Sequence, residues 1–247
     1  MKRNILSQIW ASVLVNSIYA MQGYPAMLVS NLLTPISIII VVTFVSHGAL
    51  VGEAVAGALI TAFVGGGLGL QADLAHLKND FRFQDMIVSS PTSAGVYLFG
   101  MGLSELIFQI PSIVVILVLA SVYIHTTVFV ALEILVVLLL LYVFSVVLGF
   151  FLSTVSSDIL QSWSFIGILS LLLTTIPPVY YPITYIPMPW RYVAYISPTT
   201  YAASIVQGAL GYIPLSAGAA ALDWAVLAAV CVVLFVMAVK KNRWRDV

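Results

Sequence analysis

The chain has 247 residues; 62% are apolar and only 7% are Asp, Glu, Lys or Arg. A soluble domain is about 45–50% apolar and about 25% charged, so a soluble enzyme, a disordered tail and a collagen-like fibre are excluded, and an integral membrane protein remains. Nine basic and nine acidic residues cancel, leaving no basic patch for nucleic acid. The single cysteine, Cys231, rules out an internal disulfide framework and reads as a buried, inert thiol in an apolar run.

Residues 3–21 interleave Asn4, Ser7, Gln8, Ser12 and Asn16 with Ile5, Leu6, Ile9, Trp10, Val13, Leu14 and Ile18. The polar interruptions argue against a secretory signal peptide. Apolar steps of three and four predict an amphipathic helix lying in the inner membrane interface. The alternative is the start of one long first span. Tyr24-Pro25 then bends the chain into the membrane.

A membrane-crossing helix needs about 20 mostly apolar residues. The uncharged stretches, punctuated by Gly and Pro, predict six spans at 27–47, 54–73, 93–120, 127–155, 159–178 and 219–239. The second carries Gly65, Gly66, Gly67 and Gly69, which read as close helix packing. The third carries Glu105 and Gln109 one turn apart. A carboxylate at mid-membrane costs about 2.5–3.5 kcal/mol, so Glu105 has a reason to be there. It is either a polar contact that shifts during a conformational cycle or a static packing residue. Glu133 and Asp223, near outer span ends, read as simply hydrated, and Asp158 lies on the inner side.

Two segments between spans are informative. The inner loop, 73–92, holds Asp73, Lys78, Asp80, Arg82 and Asp85 with Leu77, Phe81, Met86 and Ile87 among them. This predicts a short helix with a sticky face, stopped by Ser89, Ser90 and Pro91. It either docks a soluble partner or is a solvated interfacial helix that touches nothing. The outer segment from Pro177 to Leu215 holds seven of the eleven prolines and seven of the twelve tyrosines, yet Val193–Gly208 is largely apolar. Short helices re-entering the membrane from outside, over 179–215, fit that composition, because irregular backbone at depth must be buried or line a cavity.

Orientation follows from the cations. Lys2, Arg3, Lys78, Arg82, Lys240, Lys241, Arg243 and Arg245 fall on one side of a six-span chain and only Arg191 on the other. That side is the cytoplasm, with both termini in it. There is no GxxxxGK[ST] loop, no HExxH and no GxSxG, so ATP binding of that kind, zinc proteolysis and serine catalysis are not expected of this chain. His47, His76 and His125 stand at different heights and do not form one metal site, and the halves show no repeat of the kind ion-coupled carriers use.

Three features together resemble the ABC-type-2 permease family, the membrane subunits of ATP-binding-cassette exporters for drugs, lipids and polysaccharides. They are the N-terminal helix, the stretch FRFQDMIVSSPTSAGVYLFGMGLSEL at 81–106, and the stretch PPVYYPITYIPMPWRYVAYISPTTYAASIVQGAL at 177–210 with its Ser197-Pro198-Thr199-Thr200-Tyr201 turn. The resemblance implies an all-α integral membrane fold: six transmembrane helices, an N-terminal amphipathic interfacial helix, a cytoplasmic coupling helix at 76–88 and short outer re-entrant helices before the last span. It implies a single permease domain over 1–247 in the cell membrane, moving a hydrophobic or amphipathic substrate. The chain itself would bind no cofactor; a separate nucleotide-binding subunit would bind ATP and Mg and hydrolyse the ATP. A second permease subunit, identical or not, would complete the pathway. Carried onto this sequence, coupling falls on Lys78, Asp80, Phe81, Arg82, Phe83 and Asp85, and pathway lining on Phe63, Phe165, Leu172 and Thr175. The sequence departs from the family pattern in having a single arginine, Arg82, in the inner loop. An ion-coupled carrier working alone and a non-transporting membrane scaffold are the rival classes.

Overall fold

The computed structural model describes residues 5–79, 94–156 and 158–241, and among these it is helical with no strand. The N-terminal helix α1 (Ile5–Val13) runs through a wider π turn, Leu14–Ile18, into α2 (Tyr19–Gly23). Tyr24 breaks the helix with φ −129° and ψ 61°, and Pro25 restarts it as α3 (Pro25–Val45). Proline suits this first helical position, because its fixed φ is helical and its missing N–H would have no partner there anyway. A turn through His47 and Gly48, both at positive φ, leads into α4 (Val51–Asn79). Helix α5 (Ala94–Tyr123) follows the inner loop, and α6 (Val128–Ser153) starts at Thr127, whose side chain accepts from Val130 N–H. Helix α7 (Ile159–Ser170) is capped by Asp158, whose carboxylate accepts from Gln161 N–H at 2.8 Å. It is prolonged by a π turn, Leu171–Thr175. The outer segment contains α8 (Arg191–Ala194) and α9 (Pro198–Ala209), and α10 (Ala217–Lys241) ends the described chain.

Five described helices are long and apolar enough to cross a membrane: Pro25–Val45, Val51–Ala75, Gly95–Tyr123, Val128–Ser153 and Ala217–Ala238. The sixth expected span, 159–178, is instead the shorter apolar helix Ile159–Thr175. Its wide last turn and the Pro177-Pro178 pair stop it early.

Helix α4 is the centre of the bundle. In its membrane window 83% of the residues are buried, against 11% in α3 and in α10. It packs against α3, α5, α6, α7 and α9. The reason is side-chain size: Ala54, Ala56, Ala58 and Ala62 are buried along it, and small residues let helix backbones approach closely without a hydrophobic driving force. Helix α3 turns Leu33, Ile40, Val41, Phe44 and Val45 outward, and α7 does the same with Leu160, Trp163 and Ile168. In lipid such exposed apolar faces cost nothing.

Candidate functional site

The glycine run on α4 forms a seam with two neighbours at once. A Cβ at Gly66 would stand 2.6 Å from Gln109 Cγ, and one at Gly69 would stand 3.1 Å from Glu105 Oε2. Helix α5 therefore lays its two polar side chains into the notches that these glycines leave. Gly67 faces the other way, where its Cβ would stand 2.5 Å from Ser145 Cβ on α6. Gly149 on α6 returns the contact: a Cβ there would stand 3.0 Å from the Gly67 carbonyl oxygen. Gly65 has open space around it. Three of the four glycines thus do what close packing requires, and the fourth does not.

Glu105 and Gln109 are both buried. Tyr142 of α6 donates its hydroxyl proton to the Gly102 carbonyl on α5, and the Phe63 ring meets the Tyr142 ring edge-on at 6.3 Å. About two turns further along α4, buried Gln71 donates to Ser156 Oγ at 3.1 Å. The N-terminal helix joins the same end of the bundle. Ser12 packs on Gly100, and Ser104 Oγ reaches Ser12 Oγ at 3.5 Å. The face of α1 on α5 is thus small and partly polar, while Leu6 and Trp10 point outward.

The outer segment is fastened to the same central helix. Position 57 on α4 must be glycine, because a Cβ there would stand 2.5 Å from the Val179 carbonyl oxygen. One turn along, Tyr180 donates to Thr61 Oγ1 at 2.6 Å. Burial pushes the Tyr180 phenol up to about 12, with the Thr61 bond acting against that rise. Buried Gln207 on α9 turns its amide nitrogen to the Pro178, Val179 and Tyr181 carbonyls at 3.2, 3.5 and 3.3 Å. One side-chain amide therefore satisfies irregular backbone that proline has removed from any helix. Arg191 donates to the Thr184 and Ile186 carbonyls, both at 2.7 Å, and Thr200 to the Ala194 carbonyl. Between this segment and α3 lies an apolar cavity of about 620 Å³, lined by Val41, Val45, Ile176, Tyr185 and Trp190 among others.

The structure places the sequence-derived candidates unevenly. Leu172 and Thr175 are exposed in the π turn that prolongs α7, and Phe165 is half-buried on α7 itself. Phe63 is buried against Tyr142 and does not share an exposed face with them. Lys78 belongs to the last turn of α4, and Asp80, Phe81, Arg82, Phe83 and Asp85 lie outside the described residues. Asp223, expected to be hydrated, is buried instead and accepts from the Ser204 hydroxyl on α9. The cause is packing: α9 lies against α10 and covers that position. Gln71 and Gln207 were not singled out from sequence; a lone glutamine in an otherwise apolar stretch is the signal that marks both.

A family model described as ABC-2 type transporter matches residues 7–210. The chain belongs to this family. The match runs from the N-terminal helix through the end of α9, so it takes in both the glycine seam and the outer segment. Membrane domains of ABC-2 transporters typically catalyse nothing and bind no cofactor themselves, and they work with a separate ATPase subunit. This permease is accordingly a multi-pass membrane protein with several apolar helices. No curated protein is found to match it.

Proposed function

We propose that this permease is the membrane half of an exporter that moves a hydrophobic or amphipathic substrate out across the cell membrane. ATP is hydrolysed, with Mg, on a separate nucleotide-binding subunit. The observation that carries this reading is the outer segment, an aromatic and proline-rich cap pinned to the central helix α4 at Gly57 and Thr61. Motion of α4 reaches the cap directly, and the end of α4 itself takes in 76–79, the start of the segment 76–88.

In this reading Ile159–Thr175 is the sixth crossing. Its 12 helical residues and 5-residue wide turn span roughly 26 Å at about 1.5 Å each, close to the ~30 Å hydrocarbon core. An even number of crossings puts both termini in the cytoplasm with the clustered cations. Residues 76–88 are then the coupling helix, with Lys78, Asp80, Phe81, Arg82, Phe83 and Asp85 against the ATPase. A second permease subunit faces the exposed sides of α3 and α7, with Phe165, Leu172 and Thr175 along the shared pathway and Phe63 behind them. ATP binding draws the two ATPases together, and the coupling helix transmits that movement through α4 as a rigid element between discrete states. The α1–α2 region lies in the inner interface with Leu6 and Trp10 toward lipid.

The test is Arg82→Glu combined with Asp85→Lys in the reconstituted complex. Substrate-stimulated ATPase activity is expected to be lost while the permease stays in the membrane. Unchanged stimulation would overturn the coupling assignment.

A further inference from the structure

A second apolar cavity lies away from the outer segment. Helices α5 and α6 both pack on α4, and α10 packs on α6 but not along α5. The space left between α5, α6 and α10 is a groove of about 530 Å³. Gly95, Phe99 and Gly102 of α5 line it, with Val143 of α6 and Phe235 of α10. Protein fills the notches at Gly66, Gly67 and Gly69, whereas a Cβ at Gly95 would meet nothing within 4 Å. Phe99, Val143 and Phe235 stay exposed. Among the described residues Tyr142 carries the one polar side chain on the wall, and its hydroxyl proton goes to the Gly102 carbonyl. The wall therefore presents hydrocarbon, with no hydroxyl free for a hydrogen-bonding ligand.

The groove has the depth of one leaflet. From Gly95 to Leu106 along α5 is about 16 Å at about 1.5 Å per residue, and half of the ~30 Å hydrocarbon core is about 15 Å. Its mouth lies at the end of the bundle that carries the inner loop. Gly95 stands at the start of α5, Phe150 close to the end of α6, and Ala238 closes the membrane-crossing stretch of α10. The sequence puts charge at that mouth. Lys240 and Lys241 take the last two positions of α10, just beyond Ala238. Arg243 and Arg245 follow them, against one acidic side chain, Asp246. Basic side chains at a helix end reach up to the headgroups, and four or more cations just outside a span attract anionic lipid.

We infer that the groove between α5, α6 and α10 holds one acyl chain of an anionic phospholipid whose phosphate is held by Lys240 and Lys241. The chain fills the gap that α5 and α10 leave between them, so the lipid ties the last helix to the one that follows the inner loop. The α3 and α7 faces given above to a second subunit are not part of the groove, which leaves it open to lipid in the assembled permease. The leaflet is the inner one in the orientation proposed above; the preference for an anionic headgroup does not depend on it.

The test is native mass spectrometry of the purified full-length permease in detergent, with equal amounts of phosphatidylglycerol and phosphatidylcholine carrying the same chains. Phosphatidylglycerol is expected to be retained in preference. Lys240→Gln combined with Lys241→Gln should weaken its retention roughly 25-fold, about fivefold for each lost cation. Equal retention of the two lipids by the wild type overturns the proposal, and so does a preference that the double variant leaves unchanged. A second measurement needs only the wild type. Phosphatidylglycerol with a photoactivatable diazirine midway along one acyl chain should crosslink around Leu103, Val143 or Val147. Label spread evenly over the lipid-facing helices would make it ordinary bilayer lipid, and label around Phe165 and Leu172 would make it cargo; either result overturns the site. Filling the mouth with Gly95→Phe should suppress the crosslink, and full yield in that variant would also count against the groove. Neither measurement involves the ATPase, so the outcome is separate from that of the coupling reading.

Discussion

Replacing Gly67 by alanine is the sharpest probe of the α4–α6 contact. The added Cβ would stand 2.5 Å from Ser145 Cβ, 2.8 Å from Val146 N and 3.0 Å from Ser145 C. Carbon atoms pack at about 3.5–4.0 Å, so α6 must retreat by roughly 1 Å or α4 must bend. Two of those three atoms are backbone, so no side-chain rotation relieves the clash. Gly149 already brings the Gly67 carbonyl close, which leaves α6 no slack to rotate. Overpacking of this kind costs about 1–3 kcal/mol, a factor of roughly 5 to 150 in the unfolding equilibrium. Gly65→Ala is the matched control, because nothing lies within 4 Å of its Cβ position. Helix propensity alone then predicts a gain of up to about 1 kcal/mol, though lipid reduces it. Both variants would be compared with the wild type by denaturant or thermal unfolding in the same detergent. Opposite signs are expected. Equal effects at the two positions, or a stable Gly67→Ala, would refute the claim that backbone approach at Gly67 sets the helix spacing.

Gln207→Leu keeps the volume but leaves the Pro178, Val179 and Tyr181 carbonyls without their shared donor; the expected loss is about 1–3 kcal/mol, read as lower melting temperature and faster proteolysis in the outer segment. Wild-type resistance at that segment would show that the amide does not hold it. Topology is testable with single cysteines introduced in a Cys231→Ser background: a membrane-impermeant thiol reagent applied to intact cells should label Met188→Cys and spare Phe81→Cys. Labelling of both, or only of Phe81→Cys, would invert the orientation on which the docking proposal depends.

Some of this was legible in the residues. Sparse charge demanded a membrane, and Gly and Pro positions marked where helices pack or stop, because both act through their own backbone. Glu105 was conspicuous because a carboxyl in an apolar stretch always needs a partner. Its neighbours were not legible: the notch it fills is left by Gly69, on another helix. The expected lining residue Phe63 shows the same gap from the other side. Helices apolar all round carry almost no facial pattern, so periodicity could not say whether that ring faced a pathway or the interior. Gln71 and Gln207 likewise gain meaning only from the carbonyls and hydroxyls that distant segments bring to them.

The amino-acid order alone therefore determined that this chain lives in a bilayer as apolar helices, since the free energy of entering lipid is summed locally along the chain. Which helix lies at the centre, which glycines are contacts and which polar side chains meet was decided only by tertiary packing. In lipid, apolar side chains stabilise every face alike, and the small steric and hydrogen-bonding differences that select one face exist only between helices.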